Sequence, residues 1–333
     1  MHIRIMAWLM SIISFFACIA PAGMQPRLMK ANFAILSNSV AGFETNSLLV
    51  WRDGEVVHEA YYNGFDENTL HPVYSITRAV LKALVGIAME EGYIESIDQR
   101  VTDFFPEVEI VPGQESKRDM TVAHLLTMTS GLDALSSDPV WDAPDLGAAL
   151  FALPQEAAPG ELIRFRSFYS ATIELLSALL TRAVGGRSAL AFANEHLFGP
   201  LGIANVAWEE NADGTSRSTI GLSLTPRDML RFGLLYLNEG YFEGRQIVPL
   251  SWVAQSRPET RTDSGLQTYY DRDSYRNHFA AHEGTSFAAR GAGGQFIVID
   301  PDNNTVIVRT GEYDLELGFF QFIIPLLRIL VLG

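Results

Sequence analysis

The chain has 333 residues, 48% of them apolar and 11% aromatic, enough to bury a large core in one big domain or two interleaved ones. Acidic residues outnumber basic ones by 39 to 24, a formal net charge of −15. The summed field therefore repels phosphate backbones, and no nucleic-acid partner is expected.

The first segment, MHIRIMAWLMSIISFFACIAPAGM, has Arg4 at its start, an apolar run from Ile5 to Ala20 and the small-residue site Ala20-Pro21-Ala22. This pattern predicts a secretory signal peptide over residues 1–22, cleaved before Gly23, and a periplasmic or secreted protein. The run is shorter than the roughly 20 apolar residues needed to cross a bilayer. An uncleaved N-terminal membrane anchor is the alternative, and Phe15-Phe16-Ala17 makes a poor lipidation signal ahead of Cys18. No stable membrane insertion is expected once the signal is removed. Cys18 is the sole cysteine, so the mature chain would have no disulfide, no thiolate metal site and no catalytic thiol.

SLLVWRDGEVVHEAYYNGF reads as two strands joined at Asp53-Gly54, residue types that tolerate the positive φ of a tight turn. A helix follows in YSITRAVLKALVGIAMEEGYI, where Val80, Leu81, Leu84, Val85 and Ala88 recur at helical spacing and Gly92 ends the run. Ser75, Arg78 and Lys82 fall on one face of it. From about Thr121 to Gly240 helical patterns dominate, in TVAHLLTMTSG, TIELLSALLTRAVGG, SALAFANEHLFGPLG and TPRDMLRFGLLYLNEG. The last has Thr225 as cap, Pro226 in the first turn and Asp228 near the positive end of the helix dipole.

Strands return in Gln295 to Ile299 and Thr305 to Thr310, joined by a turn at Asp300-Pro301-Asp302-Asn303-Asn304. The apolar tail GFFQFIIPLLRILVLG, with Pro325 inside it, predicts a C-terminal helix packed on a sheet. The order is strands, helical insert, strands, helix. It predicts an α/β (α+β) fold within residues 23–333, its α/β part over about 40–110 and 241–333 and its helical part over about 111–240.

Five blocks in order, YSITRAVLKALVG, TVAHLLTMTSGLD, ELLSALLTRAVGG, GLSLTPRDMLRFGLLYLNEGYFEGRQIVP and GAGGQFIVIDPD, resemble the serine β-lactamase and penicillin-binding-protein superfamily. The likeness is to its class C, esterase-like and 6-aminohexanoate-dimer-hydrolase-like branch, and it runs over about residues 45–330. It implies an antiparallel sheet flanked by helices, an all-helical second domain and a cleft between them. It further implies a cofactor-free serine hydrolase that cleaves an ester, amide or peptide-like small molecule through an acyl-enzyme. The site would draw on an S-x-x-K motif at a helix start, a Tyr or Ser of the helical domain, and a K-T-G or glycine-rich strand. A serine hydroxyl is a poor nucleophile until a nearby base takes its proton, which is why a lysine or tyrosine is needed beside it.

Ser75 matches the nucleophile, and its N–H near a helix start could help hold an oxyanion. Three departures follow. Arg78 takes the lysine position, and a guanidinium stabilises negative charge but does not act as a base. In PGELIRFRSFYSATIELLSAL, counting from Pro159-Gly160 puts Phe165 at the tyrosine position and counting back from Leu175-Leu176 puts Phe168 there; Tyr169, one residue on, becomes the candidate proton acceptor. The K-T-G position falls on Ala289-Arg290-Gly291 or on Gly291-Ala292-Gly293, and Gly291, Gly293, Gly294 and Gln295 become the candidate substrate edge.

Other readings stand beside these. Ser75 also fits a simple helix N-cap, Arg78 a structural ion pair and Tyr169 aromatic packing. The glycines fit a strand bend. Lys82 is a candidate substitute base two turns, or about 10 Å, along the helix. His278, His282 and Glu283 have metal-like spacing, but their segment reads as loop and no metal site is expected. The alternative function is a catalytically degenerate binding protein of the same fold.

Overall fold

The hairpin anticipated at Asp53-Gly54 opens the fold, with β1 (Thr45–Arg52) and β2 (Glu55–Tyr61) antiparallel and Asp53 and Gly54 both at positive φ. This is a computed structural model, and it describes residues 44–132, 140–161, 171–256 and 287–312. The signal peptide, the C-terminal helix, Phe165, Phe168, Tyr169 and the His278, His282, Glu283 group lie outside those residues.

The chain's other end completes the sheet. Strands β8 (Phe287–Gly291), β9 (Gln295–Asp300) and β10 (Thr305–Gly311) join it in the order β2-β1-β10-β9-β8, every pair antiparallel. The turn expected between β9 and β10 is one 3-10 turn, Pro301–Asn303, closed by Asn304 in the left-handed region.

Helix α1 (Ile76–Glu90) is the central element. Every residue from Ile76 to Ala88 is buried, and the helix packs on β8 on one side and on helices of the insert on another. It stops in a Schellman motif: Tyr93 N–H donates to the Ala88 carbonyl and Gly92 N–H to that of Met89, with Gly92 at φ 76°.

The insert contributes α2 (Val122–Leu126), α3 (Leu146–Ala152), α4 (Ala171–Ala183) and α5 (Ala189–Ala193), the last running on into a π-helical turn over Asn194–Phe198. The span read as helical also holds two short strands, β4 (Val206–Trp208) and β5 (Leu222–Leu224), which form a small sheet with β3 (His71–Pro72). Runs of two or three residues carry too little periodicity to be read from sequence. A hairpin, β6 (Tyr241–Phe242) with β7 (Arg245–Gln246), and helix α7 (Leu250–Ser256) follow. Among the described residues no helix is long and apolar enough to cross a membrane.

Helix α6 (Pro226–Leu237) begins as expected, with Thr225 Oγ1 accepting from Asp228 N–H and Pro226 in the first turn. It lies across β1, β9 and β10. Gly233 sets how closely it does so, because a Cβ there would stand 2.6 Å from Val306 Cγ1 and 2.8 Å from Ile297 Cγ2. Alanine ordinarily gains about 1 kcal/mol over glycine inside a helix, whereas overpacking a core costs about 1–3 kcal/mol. Gly233→Ala should therefore lower the urea midpoint of unfolding, with a net loss of up to about 2 kcal/mol in stability; a raised midpoint would mean that the sheet yields and the close approach is not needed.

Candidate active site

Ser75 stands immediately before α1, but it does not cap the helix. A capping serine has extended backbone and accepts from an N–H two or three residues on, whereas Ser75 is already helical at φ −64°, ψ −10° and makes no side-chain cap bond. Thr77 does the local work instead: its Oγ1 donates to the Tyr74 carbonyl at 2.6 Å and accepts from Leu222 N–H at 3.3 Å. Tyr74 itself is left-handed at φ 47°, a conformation that costs a non-glycine residue about 1–2 kcal/mol. The serine hydroxyl thus sits on a strained turn into a buried helix and makes no hydrogen bond among the described residues.

Two further segments close on this turn. Val73 N–H donates to the Leu222 carbonyl at 2.9 Å, extending the β3–β5 pairing to the edge of Ser75. On the other side the end of β8 presses against the same residue: a Cβ on Gly291 would lie 2.1 Å from the Val73 carbonyl oxygen. Only glycine lets the strand come this near. The structure therefore brings Gly291 to the Ser75 turn and ends the strand there, in the frame Ala289-Arg290-Gly291.

Gln295 is placed differently from the expectation. The outer strand of the sheet among the described residues is β8, and β9, which begins at Gln295, lies between β8 and β10. Its backbone is not a free edge. Its side chain is buried and held by Gly311, Nε2 donating to the carbonyl at 2.5 Å and Oε1 accepting from the N–H at 3.3 Å. Gly293 and Gly294, at φ 71° and 77°, form the turn between the two strands. Arg309 fixes that turn from beneath, its Nη1 donating to the Gly294 carbonyl at 2.6 Å and its Nε to Thr45 Oγ1 at 3.0 Å. Burial pulls the Arg309 pKa down to about 10.

Behind Ser75 on α1 lie two buried cations, Arg78 at 2% and Lys82 at 4% exposure. Arg78 Nη1 reaches Met128 Sδ at 3.9 Å, which ties α1 to the TMTSG segment, where Met128 is left-handed at φ 59°. Burial, and then the Arg78 charge, push the Lys82 amine down to about 7. An amine so shifted is largely able to shed its proton near neutrality, which a guanidinium is not.

Glu174 is buried as well. Glu174 of α4 accepts from Ser218 N–H at 2.9 Å and Thr219 N–H at 2.8 Å, anchoring the turn that leads into β5. Desolvation raises its pKa against the pull of those bonds. Neither Glu174 nor Arg309 stood out in the sequence, since an isolated charged residue inside an apolar run is the only signal either leaves.

A profile of the family described as Beta-lactamase matches residues 34–312. The 6-aminohexanoate-dimer hydrolase of Paenarthrobacter ureafaciens is 25% identical over 299 residues, covering 81% of this chain and 73% of its own. Two solved structures share the fold. EstCE1, a hydrolase with promiscuous acyltransferase activity, superposes with a TM-score of 0.71 at 15% identity, over 93% of this chain and all of its own (100%). A family VIII carboxylesterase superposes with a TM-score of 0.66 at 18% identity, over 89% of this chain and 93% of its own. Matched over most of its length, the chain belongs to the Beta-lactamase family.

Proposed function

We propose that the protein is an exported, cofactor-free serine hydrolase that cleaves an ester or amide bond of a small molecule through an acyl-enzyme on Ser75. The observation that carries this reading is the Ser75 turn: an uncapped hydroxyl after left-handed Tyr74, at the start of a buried helix, with the glycine end of β8 packed against it. Relatives whose names are 6-aminohexanoate-dimer hydrolase and carboxylesterase support the amide and ester classes.

In this reading Ser75 Oγ attacks the carbonyl carbon and its proton passes by way of Tyr169 to the alcohol or amine that departs as the C–O or C–N bond breaks; water then cleaves the acyl-enzyme to the acid and restores the Ser75 hydroxyl. Arg78 stays charged throughout and stabilises the negative charge that develops. The β8 end at Gly291 holds the substrate, with Gly293 and Gly294 shaping the turn beyond it. A second reading has one observation in its favour. The residue in the lysine position is a guanidinium, so the relay could be lost and the cleft kept for binding alone.

Labelling with a fluorophosphonate, read by mass spectrometry, together with p-nitrophenyl ester hydrolysis separates the two. A hydrolase gives an adduct on Ser75 and loses at least about a thousandfold in turnover in Ser75→Ala. Neither adduct nor turnover in the wild type, with either one gained in Arg78→Lys, would identify the binding protein.

Lys82 gives a separate prediction about the charge behind the site. Its folded pKa is about 7 and an unfolded lysine titrates at about 10.4. Below about pH 7 both states hold the proton and the folded state bears the full cost of a buried ammonium; between the two values only the unfolded state holds it, so stability from this group rises with pH. Lys82→Met should stabilise the protein, by about 1–4 kcal/mol near pH 6 and by less near pH 9, in urea unfolding. Equal gains at both pH values would show that Lys82 is not depressed.

A further inference from the structure

One residue grips the Ser75 turn from both sides. Val73 N–H donates to the Leu222 carbonyl at 2.9 Å, and Leu222 N–H donates to Thr77 Oγ1 at 3.3 Å. Leu222 therefore spans the serine, bonded two residues before it and two residues after. The Thr77 hydroxyl passes the grip on by donating to the Tyr74 carbonyl at 2.6 Å. Val73, Thr77 and Leu222 are all fully buried, so the Ser75 turn goes where Leu222 goes.

The segment just ahead of Leu222 is held by α4. Gly221 N–H donates to the Arg217 carbonyl at 3.0 Å, closing residues 217–221 into a turn. Ser177 takes the start of this turn, its Oγ donating to the Ser216 carbonyl at 2.7 Å and accepting from Ser218 Oγ at 2.9 Å. Glu174, on the same face of α4, takes the end, with the Ser218 amide on Oε2 and the Thr219 amide on Oε1. Two amides on two oxygens require an ionised carboxylate, because a protonated carboxyl or a carboxamide offers one good acceptor and turns a donor toward the other amide. All of these groups are buried, so water does not replace a bond that is lost. The helices packed on α4 carry Arg78, Lys82 and Glu90 on α1 and His124 on α2, with no titratable side chain on α3 or α5. The charge that acts on Glu174 is that of Arg217, itself paired with Glu209 at 3.2 Å. Burial raises the Glu174 pKa, against the pull of its hydrogen bonds to Ser218 and Thr219 and of Arg217.

We propose that Glu174 is a positioning residue for the nucleophile: its two amide bonds hold Leu222 in register across the Ser75 turn, and a proton on the carboxylate releases that clamp. This rests on the hydrolase reading of Ser75. Glu174 acts through Leu222 and touches no reacting atom.

The test is the pH profile of kcat for p-nitrophenyl acetate in the wild type, Glu174→Gln, Thr77→Val and Thr77→Ser, with amide hydrogen exchange at Val73 and Leu222 read in parallel. The wild type should lose kcat on an acid limb that lies above the usual carboxyl range. In Glu174→Gln that limb should be absent and kcat at neutral pH lower by about 10- to 100-fold, with KM within about twofold. Thr77→Val cuts the clamp at its other end and should cost as much, while Thr77→Ser keeps the hydroxyl and should keep the rate. The double variant Glu174→Gln with Thr77→Val should be no slower than the slower single one, since both break one linkage. Exchange at both amides should quicken by about tenfold or more in Glu174→Gln. If that variant does not fold, Glu174→Asp, whose carboxylate stops one methylene short of the amides, serves in its place, with kcat reduced and the acid limb kept. Wild-type kcat or wild-type exchange in the Glu174 variant would overturn the positioning role, and so would losses that simply add in the double variant. Exchange needs no turnover: absence of turnover and of any Ser75 adduct in the wild type, with exchange still quickened in Glu174→Gln, would overturn the hydrolase reading and leave the clamp standing.

Discussion

The complete burial of α1 is the constraint on which the rest of the molecule depends. A helix with thirteen successive buried residues has no solvent face, so every side of it must be met by another element. The sheet supplies one side through β8 and the insert supplies the others through α4 and α5. Ser75 is where this helix comes to the surface. The Ser75 turn is therefore placed at the junction of the sheet, the small β3–β5–β4 ladder and the insert by the packing of the helix itself.

Buried polar groups hold the rims of that junction. Glu174 satisfies two amides of the turn before β5, and Arg309 with Gln295 satisfies carbonyls and an amide around the β8–β9 turn. One of these turns leads into β5, whose Leu222 bonds Val73 and Thr77, and the other follows Gly291, which packs on Val73. A buried charge is tolerated only where its hydrogen bonds are met, so these side chains convert loops that would otherwise be free to move into fixed walls. The acyl transfer proposed for Ser75 requires such preorganisation, since donors and substrate edge must be in place before an oxyanion forms.

The parts of the fold that were legible in the sequence are those with strong local chemistry. The Asp53-Gly54 hairpin, the Gly92 stop, the Thr225-Pro226 start and the Asp300–Asn304 turn each rest on residues whose conformational preference is intrinsic. The strands of two or three residues and the seven-residue α3 were not legible, because their existence is a consequence of what they pair with or pack on. Ser75 was placed by motif, while its backbone, helical and uncapped, depends on Tyr74 and Thr77, which no motif marks. Gln295 was misread for a related reason. A strand that follows glycines looks like an edge in sequence, and only the order of the sheet shows that β8 lies outside it.

The exchange of lysine for arginine at position 78 has an electrostatic consequence one turn deeper. Two like charges on adjacent turns of a buried helix repel in a medium where water screens them poorly. One way to relieve the repulsion is for a proton to leave, and arginine, with a pKa above about 12, does not release it. The proton lost is then the one on Lys82, as the direction and causes of its shift indicate, with burial the larger effect and Arg78 the second. The face of α1 that follows Ser75 thus carries a fixed cation in its first turn and a neutralisable amine one turn deeper. The more usual arrangement would put the neutralisable group first. A fixed cation favours the unprotonated form of a phenol and of an ammonium alike, so the field that helps to hold Lys82 down acts in the same direction on any other titratable group beside Arg78.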